Sequence, residues 1–191
     1  MITCPNKKIG DTVVDGRKIG FIKSKINDLN NIEGCVAEVG VYKGGSAKAI
    51  VEVLNKKDML YLFDTFTGIP NEDDNDNHFM IGDFHDTSFE AVQALFNNYK
   101  NVHVFKGIFP EKTGHNVEDK RFKFVHIDVD TYPSYVDSLN FFYDKMVIDG
   151  IMIFDDYNED GCEGATKAVN EFFNGKEKIM NQQVSYYIIK Q

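Results

Sequence analysis

Five short, nearly unbroken apolar runs constrain this chain more than any other feature. They are CVAEVG (35–40), MLYLFD (59–64), VHVFKG (102–107), FKFVHIDVD (122–130) and GIMIFDDY (150–157). Strands apolar on both faces belong to parallel sheets covered on both sides. Between the runs lie segments of helical period. SAKAIVEVLNKK (46–57) puts Ile50, Val53 and Leu54 on one side, and SFEAVQALFNNY (88–99) begins at Ser88, a capping residue. SYVDSLNFFYDKM (134–146) and GATKAVNEFFNG (164–175) follow the fourth and fifth runs. This alternation predicts one α/β domain over 1–191, a mostly parallel sheet with helices on both faces. The tail KIMNQQVSYYIIKQ reads as two short strands about a tight turn, an antiparallel edge hairpin. The leader, 1–33, contains IGFIKSKINDL, where Ile19, Ile22 and Ile26 make one face of a short helix.

Bulk properties exclude several function classes. With 21 basic and 30 acidic residues the formal charge is −9, which disfavours general binding to nucleic acid or to anionic lipid. No apolar run approaches the ~20 residues of a membrane helix, and the start, MITCPNKKIG, lacks the apolar core of a secretory signal. The 3 cysteines, Cys4, Cys35 and Cys162, form no CxxC and no disulfide framework, so the expectation is a cytoplasmic protein.

In an open α/β sheet, ligands sit beyond the carboxyl ends of the strands. There this chain delivers Glu38–Gly40, Asp64, Lys106–Gly107, Asp128 with Asp130, and Asp155 with Asp156. Carboxylates gathered on one edge repel one another unless something positive binds them, so their convergence points to ligands. The turn AEVGVYKGGS reads G-x-x-x-G-G from Gly40, not the G-x-G-x-x-G that cradles a dinucleotide pyrophosphate. Glu38, just ahead of that turn, suits a cationic sulfonium ligand carrying an ammonium group. Asp64 follows the turn by roughly 20 residues, the place of an acid that takes both hydroxyls of a ribose. The acidic stretch Glu72–Asp76 reads as a solvated loop tip, with a substrate gate as the alternative.

Asp128, Asp155 and Asp156 end adjacent strands, with no His or Cys read as a partner. Three carboxylates describe a hard-oxygen site favouring Mg²⁺, with Mn²⁺ or Ca²⁺ as alternatives. A decoy overlaps it: DYNEDG (156–161) matches the first half of an EF-hand loop through Asp156, Asn158, Asp160 and Gly161. The twelfth position is Lys167 where a bidentate Glu is required, so that reading is set aside.

Taken in order, AEVGVYKGGS, LFDTFTGIP, GDF, VHVFKGIF, HIDVDTYPS and GIMIFDDY resemble the macrocin O-methyltransferase family, over residues 34–174. These enzymes use S-adenosylmethionine and a metal to methylate sugar hydroxyls. The first motif and the metal carboxylates are also similar, more distantly, to catechol O-methyltransferase. The resemblance implies a Rossmann-like class I methyltransferase sheet of seven strands, the last antiparallel. It places Glu38, Gly40, Tyr42 and Ser46 at the methionine end of the cofactor, with Gly107 and Asp128 also in the cofactor site and Asp64 on the ribose. It assigns Asp128, Asp155 and Asp156 to Mg²⁺, and it implies a small-molecule acceptor, a sugar or glycosylated metabolite, and a homodimer. The short leader implies a more open acceptor pocket than family members have.

Methyl transfer to oxygen needs an in-line nucleophile at near-attack distance, and a metal that orients it and lowers its pKa. Asp128 and Asp130 are the expected catalytic residues. Asp130 is a candidate general base beside His85 and His115, and Tyr132 and Ser134 are candidates to shape the acceptor site. The rival readings are a nucleotide-dependent oxidoreductase, which the glycine pattern opposes, and a cofactor-binding protein without turnover.

Overall fold

The computed structural model describes residues 1–71 and 73–191. Its sheet has seven strands in the order β3-β2-β1-β4-β5-β7-β6. They are β1 (Cys35–Val39), β2 (Leu60–Asp64), β3 (Val102–Lys106), β4 (Phe122–Ile127), β5 (Met146–Phe154), β6 (Met180–Gln182) and β7 (Ser185–Ile189). The first five run parallel; β7 pairs antiparallel with both β5 and β6. The order reverses between β1 and β4, and a crevice opens where the chain departs to opposite sides. The terminal hairpin is present as expected, with β6 on the edge and β7 inside it.

Alternation along the strands divides the core in two. Val36, Leu60, Leu62, Phe124 and Ile153 face α1 (Gly16–Asp28), α2 (Gly45–Val53) and α3 (Phe89–Leu95). Ala37, Val39, Phe63, Val125, Ile127 and Phe154 face α4 (Tyr132–Phe142) and α5 (Glu163–Phe173). Each fully buried Leu, Ile or Phe contributes about 1.5–3 kcal/mol, so both helix layers are held mainly by apolar burial. Asp15 caps α1 by accepting from the Arg17 N–H, and Ser88 caps α3 by accepting from Ala91.

Several boundaries differ from the sequence reading. The β4 ladder ends at Ile127, three residues before the end of the apolar run, and Asp130 takes a left-handed φ of 61°. β5 begins at Met146, because a bulge absorbs Val147–Gly150: pairing with β4 jumps from Phe122–Met146 to Phe124–Ile151, and Asp149 has φ 63°. α4 starts at Tyr132 and closes in a 3₁₀ turn, Tyr143–Lys145. α2 and α3 stop at Val53 and Leu95, short of Lys57 and Tyr99. No helix among the described residues is long and apolar enough to cross a membrane.

Candidate active site

The glycines of the β1–α2 turn are required by protein backbone on two sides. At Gly40, φ is +86° and a Cβ would overlap the Asp128 carbonyl oxygen at the end of β4. At Gly45 a Cβ would run into the backbone of Asp11 and Thr12, because the N-terminal strap crosses the turn there. Asp64 completes the turn: Oδ2 accepts from the N–H groups of Val41 (2.8 Å) and Tyr42 (2.7 Å), and Oδ1 from Phe66 (2.6 Å). Asp64 therefore organises the turn it faces.

Residues 1–14 are tied to this turn by a polar latch. Buried Lys43 donates to Cys4 O (2.8 Å), Lys7 O (3.1 Å) and Asp86 Oδ2 (2.7 Å). The Tyr42 hydroxyl donates to Asp86 Oδ1 (2.6 Å), and Gly10 N–H donates to Lys43 O (2.7 Å). Burial alone would raise Asp86; its bonds from Lys43 and Tyr42 outweigh that and hold it below the usual aspartate value.

Between strap and sheet lies a cleft of ≈ 140 Å³. Thr12, Val13 and Val14 form one wall, and Gly40, Tyr42 and Ser46 the turn side. Asp64 lies at the end of β2, Ile108 and Phe109 follow β3, and Asp128 and Asp130 follow β4. Five of the expected cofactor residues, Gly40, Tyr42, Ser46, Asp64 and Asp128, thus line one cavity. Gly107 does not line it, though its neighbours Ile108 and Phe109 do. Glu38 does not line it either. It points to the α1 face, fully buried, with Oε1 2.9 Å from His126 Nδ1 and Oε2 without a partner. Strand alternation dictates this, since Glu38 shares the side of Val36.

Asp128, Asp155 and Asp156 each bring a carboxylate oxygen within 4.8 Å of the others. Asp156 Oδ2 is held by Val129 N–H (3.1 Å), Asp130 N–H (3.0 Å) and the Tyr135 hydroxyl (2.9 Å). Burial and the neighbouring carboxylates push Asp128 and Asp130 well above the usual range, and Asp156 up to about 6. Asp155 differs. Burial would raise it too, but His126 Nε2 lies 3.3 Å from Oδ1 and Lys18 Nζ 3.3 Å from Oδ2, and these cations hold it low. The expectation that no His or Cys accompanies the three aspartates is corrected here. The β4 pleat carries His126 to Asp155, and Cys162 Sγ lies within 4.8 Å of oxygens from Asp130 and Asp156. Burial disfavours the charged imidazole, yet bonds to Asp155 and Glu38 raise His126 well above its usual value. The donor set of the triad remains hard oxygen, which fits Mg²⁺, Mn²⁺ or Ca²⁺.

Of the three candidate bases only Asp130 lines the cleft. His85 is exposed, with Nδ1 2.8 Å from Gly82 O, and His115 is exposed in the 3₁₀ turn Gly114–Val117. Ser134 lines the cleft; Tyr132 does not, its hydroxyl donating to Glu171 (2.8 Å). The acidic stretch needs correction as well. Glu72 lies outside the described residues, but Asp76 is 2% exposed and is no solvated tip, because Oδ2 accepts from Tyr132 N–H (2.6 Å) in the first turn of α4. Lys18, Lys43, Asp86 and His126 escaped the sequence reading. Each acts across more than 25 residues of chain, and only His126, two residues before Asp128, left a local trace.

The sequence model described as macrocin-O-methyltransferase (TylF) matches residues 5–185, further at both ends than the motifs alone reach. Among curated proteins, demethyldecarbamoylnovobiocin O-methyltransferase of Streptomyces niveus is 26% identical over 84% of this chain and 67% of its own length. Mycinamicin III 3''-O-methyltransferase of Micromonospora griseorubida is 27% identical over 79% of this chain and 64% of its own. The chain thus spans about two thirds of these relatives. Among solved structures, the O-methyltransferase NovP superposes with a TM-score of 0.73 at 24% identity, over 92% of this chain and 80% of that one. A calicheamicin methyltransferase superposes at 0.79 with 16% identity, over 91% and 78%. The fold is therefore that of Rossmann-like methyltransferases, and the chain belongs to the macrocin-O-methyltransferase (TylF) family of methyltransferases.

Proposed function

We propose that this chain moves a methyl group from S-adenosylmethionine to a hydroxyl of a sugar-like acceptor, with Mg²⁺ held by Asp128, Asp155 and Asp156. One observation carries the reading: Asp128, Asp155 and Asp156 bring carboxylate oxygens within 4.8 Å of one another beside the cleft that Asp128 and Asp130 line. Asp128 lines that cleft, and Asp155 lines a second space of ≈ 330 Å³ that shares Val13 and Val14 with it. Displacement in line needs donor and acceptor on opposite sides of the travelling carbon, which two adjoining cavities supply. The second space is bordered by Arg17, Lys18, Glu159 and Val184, with no aromatic side chain among its lining residues, and suits a polyhydroxylated acceptor better than a flat phenol. The names of the novobiocin and mycinamicin relatives point the same way, and a TDP-rhamnose 3'-O-methyltransferase shares the fold.

When bound, the donor supplies an electrophilic carbon on positive sulfur, and the divalent ion makes the acceptor hydroxyl more acidic. The chain's own part is placement and proton transfer. The Gly40 turn and Asp64 shape the donor cleft, while Lys18 and His126 keep Asp155 ionised. Asp130, in the first cleft beside Asp128, would take the acceptor proton where the acceptor hydroxyl reaches past the triad, as the C–O bond forms and the carbon–sulfur bond breaks to leave S-adenosylhomocysteine.

Calorimetry with S-adenosylhomocysteine and with a nicotinamide dinucleotide, with and without Mg²⁺, tests the donor assignment; only the first is expected to bind. In a glycoside screen with labelled donor, Asp155→Ala is expected to lower metal-dependent turnover at least about 100-fold and to leave S-adenosylhomocysteine affinity intact. Equal turnover in that variant removes the metal role. Donor binding without transfer to any acceptor favours the alternative, a cofactor-binding protein without turnover.

A further inference from the structure

Five buried side-chain atoms among the described residues lack a hydrogen-bond partner: Glu38 Oε2, Asp76 Oδ1, Thr113 Oγ1, Ser138 Oγ and Ser185 Oγ. Of these, only Ser138 lines the cleft beneath the strap. It lies on α4 and is 1% exposed, so its hydroxyl is cut off from bulk water and unbonded within the protein. Such a hydroxyl costs free energy and persists where something else completes it.

Its place in the cleft says what that is. The strand order β3-β2-β1-β4 sets Asp128 at the β4 end, Asp64 at the β2 end and Ile108–Phe109 beyond β3. A nucleoside whose sulfur lies by the acidic group and whose ribose lies by Asp64 carries its base towards β3. There the walls are apolar and flat. Phe109 lies 4.6 Å from Phe63, ring centre to ring centre, and stacks at 5.0 Å and 12° on Phe142, one helical turn after Ser138. A planar heterocycle can lie against such a wall, with its polar rim towards the Ser138 hydroxyl, which no protein group bonds.

We infer that Ser138 is the specificity residue for the donor's nucleobase, its Oγ bonding a polar atom on the rim of adenine. This rests on the donor assignment above and goes further by naming the group that reads the base. The hydroxyl is there for the ligand and contributes nothing to the unliganded fold.

The test uses the full chain and measures binding of S-adenosylhomocysteine and of its 1-deaza, 3-deaza, 7-deaza and 6-deamino analogues by calorimetry. Wild type is expected to lose about tenfold in affinity for the analogue missing the atom that Ser138 bonds. Ser138→Ala is expected to bind S-adenosylhomocysteine about tenfold more weakly and to be indifferent to that same deletion, while its ligand-free melting temperature equals or exceeds wild type. Unchanged affinity in Ser138→Ala, a penalty in wild type that persists in the variant, or a lower melting temperature overturns the inference. If wild type itself fails to bind S-adenosylhomocysteine, the donor assignment falls first, an outcome distinct from the other three.

Discussion

The two ends of the sheet bury charge in opposite ways. At the amino end, Lys123 on β4 is 1% exposed and reaches Asp58 Oδ2 at 2.7 Å, with Ile32 O at 3.1 Å and Leu29 O at 3.3 Å as further acceptors. One cation meets one anion, and its remaining donors are taken by the loop that closes α1 onto β1. At the carboxyl end, Lys18 and His126 face Glu38, Asp128, Asp130, Asp155, Asp156 and Glu159. The first set is complete within the chain and fastens the fold. The second is short of positive charge, a deficit that the proposed divalent ion would fill. A buried ionic group therefore reports structure or ligand according to whether its charges balance.

Breaking the balanced end is expected to cost most. Lys123→Met strands Asp58 in the interior, and urea denaturation should show a loss of about 3–5 kcal/mol. At the other end the sign reverses. Asp128→Asn relieves repulsion among crowded carboxylates, so the metal-free protein should gain about 1 kcal/mol while transfer activity is lost. A loss of stability there would mean that the acidic group already balances itself. The smallest effect belongs to the latch on the strap. Asp86 has a lowered pKa, so its contribution is present above the unfolded value of 3.8 and fades as pH falls through its folded value. Protection factors of the amides of residues 2–12 should fall below about pH 4, and Asp86→Asn should show that lowered protection at neutral pH. Protection factors independent of pH in wild type would assign the strap's order to Lys43 alone.

Much of this was legible because it is local. Strand ends carry their acids in sequence order, so Asp128, Asp155 and Asp156 could be placed together once β4 and β5 were read as neighbours. The G-x-x-x-G-G turn was visible too, but its reason was not: Gly40 and Gly45 yield to Asp128 and Thr12, contacts that only the folded chain makes. Glu38 misled for a related reason. Nearness to the turn suggested the cleft, whereas the period of two along β1 sends it to His126 on the other side. The start of β5 was hidden because VIDG looks like a turn, and the bulge at Asp149–Gly150 is a strand that keeps a turn's residues. Asp76, within a run of acids, could not be told from solvent-facing neighbours without α4 to receive it.

The strap over Gly45 has a practical corollary for anyone shortening this protein. A version begun at Cys35 would keep all seven strands but lose α1, with its buried Phe21, Ile22 and Ile26. It would also forfeit Thr12, Val13 and Val14 from the cleft and Lys18 from Asp155. Such a truncation is a methyltransferase sheet with its chemistry left ajar.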